Sequence, residues 1–174
     1  MASVEKNLIS AIRECAYLRG QFTLRSGKTS NTYLDKYQFE ANPHLLCAIA
    51  WAMEPLISPY TEVLAGLEMG GIPIVTMLSQ VTGIPAAFIR KEPKAYGTCR
   101  YAEGASLVGR KFVIIEDVVS TGGAIVDSLA KLKADNLYPT EILCVIDRES
   151  GGKETLLSLG FELAALFTIS QIEQ

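Results

Sequence analysis

The sequence predicts an α/β fold in which a mainly parallel central sheet is flanked by helices. Short apolar runs alternate with segments of helical periodicity, and strands that alternate with helices form parallel sheets through right-handed crossovers. The most informative run, KFVIIEDVVSTGGA (residues 111–124), changes from a strand pattern to a small polar loop and then to a helical stripe. We expect a single domain over residues 1–174, because no linker, repeat or low-complexity segment divides the chain.

The other elements follow from local patterns. Apolar residues at helical spacing predict a helix from Val4 to Leu18, and residues 22–35 form short extended pieces around a turn at Gly27. The later elements are predicted in this order: a helix from Pro43 to about Ile57, a strand at Glu62–Gly66, a helix from Pro73 to about Thr82, a strand at Pro85–Ile89, an irregular loop at 90–104, a strand at Phe112–Ile115, a helix after Gly123, a strand at Glu141–Ile146, a helix from Gly152 to about Leu159 and a strand at Phe161–Ile169.

Composition and charge exclude several classes of protein. A net charge of −3 and a pI near 5.3 argue against a surface that coats nucleic acid, and no apolar run is long enough to span a membrane. The N-terminal stretch is too charged for a secretory signal. The four cysteines are widely separated and lack zinc-ligand spacing, so we expect reduced thiols in a cytoplasmic protein.

The loop after the strand Phe112–Ile115 has the composition of a phosphate site. Residues 120–124 supply hydroxyls and glycines at a helix N-terminus, where unpaired backbone N–H groups bind phosphate. Glu116 and Asp117 would repel a phosphate, but they would accept hydrogen bonds from a sugar diol. The predicted ligand is therefore a sugar phosphate with a free diol. An ordinary buried strand and turn with exposed acids is the competing interpretation, and the ordered acids, hydroxyls and glycines favour the ligand site.

Candidate residues converge at one edge of the predicted sheet. In an open parallel sheet, ligands bind beyond the carboxyl ends of the strands. Four features follow predicted strands: the turn after Gly66, the basic segment after Ile89, the acids after Ile115, and Arg148 after Ile146. This convergence predicts one ligand site at that edge.

Segment 111–124 resembles the phosphoribosyl-pyrophosphate (PRPP) signature of the type I phosphoribosyltransferases. The basic stretch RKEPKAYG, residues 90–97, resembles the mobile catalytic loop of the orotate phosphoribosyltransferases, and the FTLRSGK element from Phe22 and the pair Asp147-Arg148 extend the resemblance over nearly the whole chain. It implies the type I phosphoribosyltransferase fold with a small N-terminal hood formed mainly by about residues 1–40. The implied reaction transfers phosphoribose from PRPP to orotate, giving orotidine 5′-monophosphate and pyrophosphate in UMP biosynthesis. It further implies Mg²⁺ carried mainly by PRPP without direct protein ligands, and a homodimer that shares the 91–104 loop across its interface.

The resemblance also implies roles for individual residues. Catalysis is assigned to Asp117, Glu116 and Lys94. Binding of PRPP is assigned to Arg90, Lys91, Lys94, Tyr96, Glu116, Asp117, Val118, Val119, Ser120, Thr121, Gly122, Gly123 and Ala124. Binding of orotate is assigned to Arg25, Tyr33, Leu34, Ser120 and Arg148.

Two departures from the family pattern and two alternative functions accompany these assignments. Tyr96 stands where the family loop has histidine, and the turn Glu68-Met69-Gly70 lacks the lysine that many relatives carry. The alternatives are a phosphoribosyltransferase for another base, such as a purine, and a non-catalytic regulator that senses PRPP. A run of loop cations is also compatible with a solvated surface.

Overall fold

The computed structural model describes residues 2–23, 27, 29–92 and 101–174, with side chains from Lys6 onward. The strands are β1 (Tyr17–Thr23), β2 (Thr29–Leu34), β3 (Val63–Leu67), β4 (Ala86–Ile89), β5 (Ala102–Gly104), β6 (Phe112–Val119), β7 (Glu141–Asp147) and β8 (Leu163–Thr168). The helices are α1 (Ala2–Ala16), α2 (Lys36–Ala41), α3 (Pro43–Met53), α4 (Gly71–Thr82), α5 (Gly123–Ala134), α6 (Gly152–Ser158) and α7 (Ile169–Glu173), with a 3₁₀ turn at Glu54–Leu56.

The central sheet confirms the predicted fold class. Its six strands lie in the order β5-β4-β3-β6-β7-β8, and only the pairing of β4 with β5 at one edge is antiparallel. Strands β1 and β2 form a separate antiparallel pair, which is the expected N-terminal hood. None of the described helices has the length and apolar character needed to cross a membrane.

The core has two layers because strand β6 is buried on both faces. Its residues Val113 and Ile115 pack with apolar residues of α1, α3 and α4, whereas Phe112 and Ile114 pack with those of α5 and α6. This two-sided burial explains the continuous apolar run that predicted the strand. It also places the carboxyl end of β6, with Glu116 and Asp117, between the helices on the two faces of the sheet.

Strand β6 is longer than predicted. The sequence placed its end at Ile115, but parallel pairing with β7 continues through the acids, with Val118 opposite Ile146 and Val119 opposite Asp147. Glu116 and Asp117 are therefore strand residues rather than loop residues. Their side chains consequently point to opposite faces of the sheet.

Four other elements, β5, α2, α7 and α1, also differ from the prediction. The predicted loop 90–104 ends in strand β5, whose three residues are too few to show a period. Helix α2 has only six residues, and α7 takes Ile169, which the sequence analysis assigned to a strand. A capping box formed by Thr168 and Gln171 begins α7. Helix α1 ends at Ala16 because the next residues pair with β2.

Candidate active site

A cavity of about 630 Å³ opens at the carboxyl ends of β3, β4 and β6. The end of β3 and the turn after it contribute Leu67 and Glu68, and the end of β4 and the segment after it contribute residues 89–92. The end of β6 contributes Glu116, Val118 and Val119, and the loop and first turn of α5 contribute residues 120–125. The structure thus brings together three of the four features that the sequence predicted to converge. From the predicted PRPP set, the cavity is lined by Arg90, Lys91, Glu116, Val118, Val119, Ser120, Thr121, Gly122, Gly123 and Ala124.

The polar loop of the cavity, residues 120–122, leads directly into a twelve-residue helix, α5. Gly122 occupies the N-cap position with a left-handed φ of 79°, a conformation that glycine adopts without the steric penalty of a Cβ. No described side chain caps this helix end. The backbone N–H groups of its first turn are therefore available to an anionic group in the cavity.

The acidic pair of β6 is divided between two environments. Glu116 lines the cavity. Asp117 is only 1% exposed, and its Oδ2 lies 2.5 Å from Nζ of Lys36. Its Oδ1 accepts a hydrogen bond from the backbone N–H of Val118. Of the two adjacent acids, Glu116 is therefore the one that opens to the cavity, whereas Asp117 is held by Lys36.

A buried cluster of charged groups surrounds Asp117. Glu40 of α2 is 8% exposed, and among the described residues its Oε1 has no hydrogen-bond partner. Gly70 closes the other side, because a Cβ at this position would overlap the Asp117 carboxylate. The corner therefore requires glycine at Gly70 for a steric reason.

Burial raises the pKa values of the carboxyls beside Asp117. For Glu40, burial is the main cause, the hydrogen bond with Asp117 and its charge add to it, and the pKa reaches about 8. For Glu116, burial and then the Asp117 charge raise the pKa to about 8. Burial lowers the pKa of Lys36, but the Asp117 carboxylate outweighs that effect and leaves it raised. The cluster therefore combines the Lys36–Asp117 ion pair with two carboxyls whose ionised forms are disfavoured by burial.

The two ends of the basic segment are fastened to helix α5. Lys131 Nζ donates to the backbone carbonyl of Lys91 at 2.5 Å and pairs with Glu92 Oε1 at 2.8 Å. Tyr101 donates its hydroxyl to Ser128 Oγ at 3.0 Å in a buried position. Both contacts join the segment to the helix that begins at the polar loop.

Of the orotate residues predicted from the family, Ser120 lines the cavity, and the others that the structure describes lie elsewhere. Tyr33 is exposed on the hood and stacks on Phe22 with a centroid distance of 5.4 Å, while Leu34 is buried. Arg148 has an exposed side chain, and its backbone N–H donates to the carbonyl of Val119, which lies next to the polar loop. The predicted site residues Arg25, Lys94 and Tyr96 lie outside the described residues.

Sequence analysis missed the residues that reach the site from other elements. Lys36 and Glu40 belong to the unpredicted helix α2, and Ser128 and Lys131 lie in the middle and C-terminal half of α5. A spacing of four between Lys36 and Glu40 places them on one helical face, which is the only local signal of a pair. Their common target, Asp117, is distant in sequence.

Known proteins resemble this chain along its length. A family model described as a phosphoribosyl transferase domain matches residues 38–157. Among the similar relatives are orotate phosphoribosyltransferases from Nocardioides sp., 42% identical, and Halobacterium salinarum, 39% identical. Each alignment spans 171 residues and covers 98% of this chain; it covers 96% of the Nocardioides protein and 97% of the Halobacterium protein. The crystal structure of Mycobacterium tuberculosis orotate phosphoribosyltransferase in complex with PRPP matches with a TM-score of 0.84 at 21% identity, covering 98% of this chain and 99% of that chain. At that identity, the structural likeness shows the fold.

Proposed function

The chain belongs to the orotate phosphoribosyltransferase family, and we propose that it transfers the 5-phosphoribosyl group from PRPP to orotate. The products are orotidine 5′-monophosphate and pyrophosphate, and the reaction serves UMP biosynthesis. One observation carries the proposal: an uncapped helix N-terminus, the Glu116 carboxyl and the basic residues Arg90 and Lys91 line one cavity.

The polar loop is the proposed site of the ribose 5′-phosphate. Residues 120–124 lead into α5, so backbone N–H groups and the positive end of the helix dipole meet the phosphate. Ser120 and Thr121 add hydroxyl donors at the cavity wall. These groups fix the ribose end of PRPP and orient its C1 relative to the rest of the cavity.

Glu116 is the carboxyl that the cavity offers to the ribose hydroxyls. With a pKa of about 8, it is mainly protonated near neutral pH before the ligand binds. As the bond to pyrophosphate breaks, the ribose gains positive charge, and an ionised Glu116 stabilises that charge. Activity should therefore rise with pH as Glu116 loses its proton.

The basic residues after β4 are the proposed site for the leaving pyrophosphate. Arg90 and Lys91 line the cavity, and Lys94 follows three residues later in the chain. Their cations stabilise the negative charge that develops on pyrophosphate. Tyr96 would add a neutral hydrogen-bond donor where relatives have histidine.

Mg²⁺ is the proposed cofactor, carried mainly by PRPP. When bound, it neutralises part of the pyrophosphate charge. Of the two adjacent acids, Glu116 lines the cavity, whereas the Asp117 carboxylate is paired with Lys36. The two carboxyls therefore do not face the cavity together as a metal site, which fits a metal that arrives with its ligand. The described residues contain no group of three or more His, Cys, Asp or Glu side chains arranged to hold a metal ion.

Orotate would be bound by Arg25, Tyr33, Leu34, Ser120 and Arg148. An arginine offers a planar fork that matches the carboxylate of orotate. The position of Arg148 directly after β7, with its N–H bonded to Val119, supports this role because it puts the residue beside the phosphate loop.

We also propose a homodimer that shares the loop 91–104 between its two sites. The test mixes two inactive variants, Lys94→Ala and Asp117→Asn, under conditions in which subunits exchange. A shared loop restores one intact site per heterodimer, so activity should return on mixing. Continued inactivity after demonstrated exchange would show that each loop serves its own chain.

The proposed location is the cytoplasm. Among the described cysteines, Cys15, Cys47 and Cys144 are free thiols, as is usual in a reducing compartment. Burial raises the pKa of the Cys144 thiol, which makes it unreactive.

Steady-state kinetics with separate bases test the proposed reaction. Pyrophosphate release should require PRPP, Mg²⁺ and orotate together, and chelation of the metal should stop it. Turnover with adenine or hypoxanthine but not with orotate would indicate a phosphoribosyltransferase for another base. Binding of PRPP without turnover of any base would indicate the non-catalytic regulator.

A further inference from the structure

The ion pair between Lys36 and Asp117 connects the hood to the catalytic strand. Lys36 is the first residue of α2, which follows directly from hood strand β2, and Asp117 lies near the carboxyl end of β6. Their charged atoms are 2.5 Å apart, with Asp117 almost completely buried and the Lys36 side chain 32% exposed. Such a pair in a poorly solvated corner holds both side chains in one geometry.

Charge balance makes Lys36 necessary for an ionised Asp117. Glu40, Glu116 and Asp117 lie together at this corner; burial first, and the hydrogen bonding and repulsion from Asp117 after it, raise the pKa values of Glu40 and Glu116. Lys36 is the cation that opposes this repulsion in both cases, because its charge lowers the pKa of each glutamate. A buried carboxylate without a cation takes up a proton.

Several other titratable groups lie near the corner. Tyr37 follows Lys36 on α2, and its ring centroid is 5.3 Å from the ammonium. Cys144 of β7 is the register partner of Glu116, and Asp147 ends the same strand. Glu68 lines the cavity beyond Glu116. Within the described residues, Asp117 forms its ion pair with Lys36.

We propose that Lys36 is a positioning residue for the phosphoribosyl transfer: it holds Asp117 as a carboxylate on the hood side of β6, and this anchor directs Glu116 into the cavity. The inference rests on the proposed function for its catalytic consequence. In the ligand-free structure, Glu116 lines the cavity and Asp117 is held by Lys36.

Substitution of Lys36 tests the proposal by kinetics. Lys36→Met keeps the length of the side chain and removes the charge, whereas Lys36→Arg keeps the charge. We expect Lys36→Met to lower kcat/KM for PRPP by about tenfold or more, because Glu116 is no longer held in place. Lys36→Arg should recover most of the loss. Lys153→Met, a substitution of an exposed lysine on α6, is the matched control and should behave as the natural protein.

Proton uptake on folding separates an electrostatic role from simple packing. Without Lys36, the buried Asp117 should bind one proton that the unfolded chain releases. The folding equilibrium constant of Lys36→Met should therefore fall about tenfold more per pH unit than that of the natural protein, between about pH 5 and 7. The double variant Lys36→Met/Asp117→Asn should return to the natural slope. This measurement does not depend on enzymatic activity.

The outcomes distinguish the proposal from the reaction assigned above. If the natural protein converts orotate while Lys36→Met keeps both its kinetic constants and its pH slope, the positioning role is wrong and the function stands. If Lys36→Met fails to fold but the double variant folds, the ion pair is supported. If neither folds, Lys36 contributes packing and the proposal is overturned.

Discussion

The buried carboxyl of Glu40 should make the stability of the ligand-free protein fall as pH rises. Its pKa is about 8 in the folded protein, against 4.5 as its ordinary value. Between these values the folded state retains a proton that the unfolded state has lost, so stability is greatest at low pH and declines through pH 8. This direction is opposite to that of a carboxyl in a salt bridge.

The size of the effect follows from the same pKa difference. Integration of the proton balance gives a loss of about 2 kcal/mol between about pH 6 and pH 8 for Glu40. Glu116 adds a decline of the same sign, because its pKa is also raised to about 8. The chain has a single histidine, so few other groups titrate in this interval.

Urea unfolding at a series of pH values measures the decline, and Glu40→Gln isolates the contribution of one carboxyl. The amide resembles the protonated acid in shape but does not titrate. The unfolding free energy of the variant should therefore decline by about half as much as that of the natural protein, and the two values should be equal near pH 6. An unfolding free energy that is constant between about pH 6 and 8 would refute the reasoning. If the unfolding free energy of Glu40→Gln declined as much as that of the natural protein, Glu40 would not be a cause of the decline.

Three further substitutions test separate contacts. Gly70→Ala should lower stability by about 1–3 kcal/mol in urea unfolding, because the added Cβ displaces the Asp117 carboxylate; unchanged stability would contradict the steric argument. Arg148→Ala should raise KM for orotate in steady-state assays and leave KM for PRPP nearly unchanged, and equal effects on both would exclude a role specific to the base. Tyr101→Phe should cost about 1 kcal/mol through loss of the hydrogen bond to Ser128, and Ser128→Ala on that background should add little.

The sequence was sufficient for the parallel strands and for the polar loop after β6, because both depend on local patterns. The apolar run ending at Ile115 and the glycines that follow it identify a buried strand and a helix start without reference to other parts of the chain. The change from strand to helix periodicity placed α5 correctly, from Gly123.

The distribution of the acidic pair could not be predicted in the same way. Where β6 ends depends on its pairing with β7, and that pairing decides that Glu116 and Asp117 face opposite sides. The partner of Asp117 comes from α2, whose six residues are too short for a periodic signal and whose position depends on tertiary packing. A charged contact across 81 residues of sequence leaves no trace in either segment alone.

The most direct test of the central claim is the identity of the nucleotide that the protein makes. Purified protein is incubated with PRPP, Mg²⁺ and an equimolar mixture of orotate, uracil, adenine and hypoxanthine, and the products are separated and identified by mass. The account predicts orotidine 5′-monophosphate as the nucleotide product, formed together with an equal amount of pyrophosphate. A purine nucleotide, or uridine 5′-monophosphate formed directly from uracil, would contradict it.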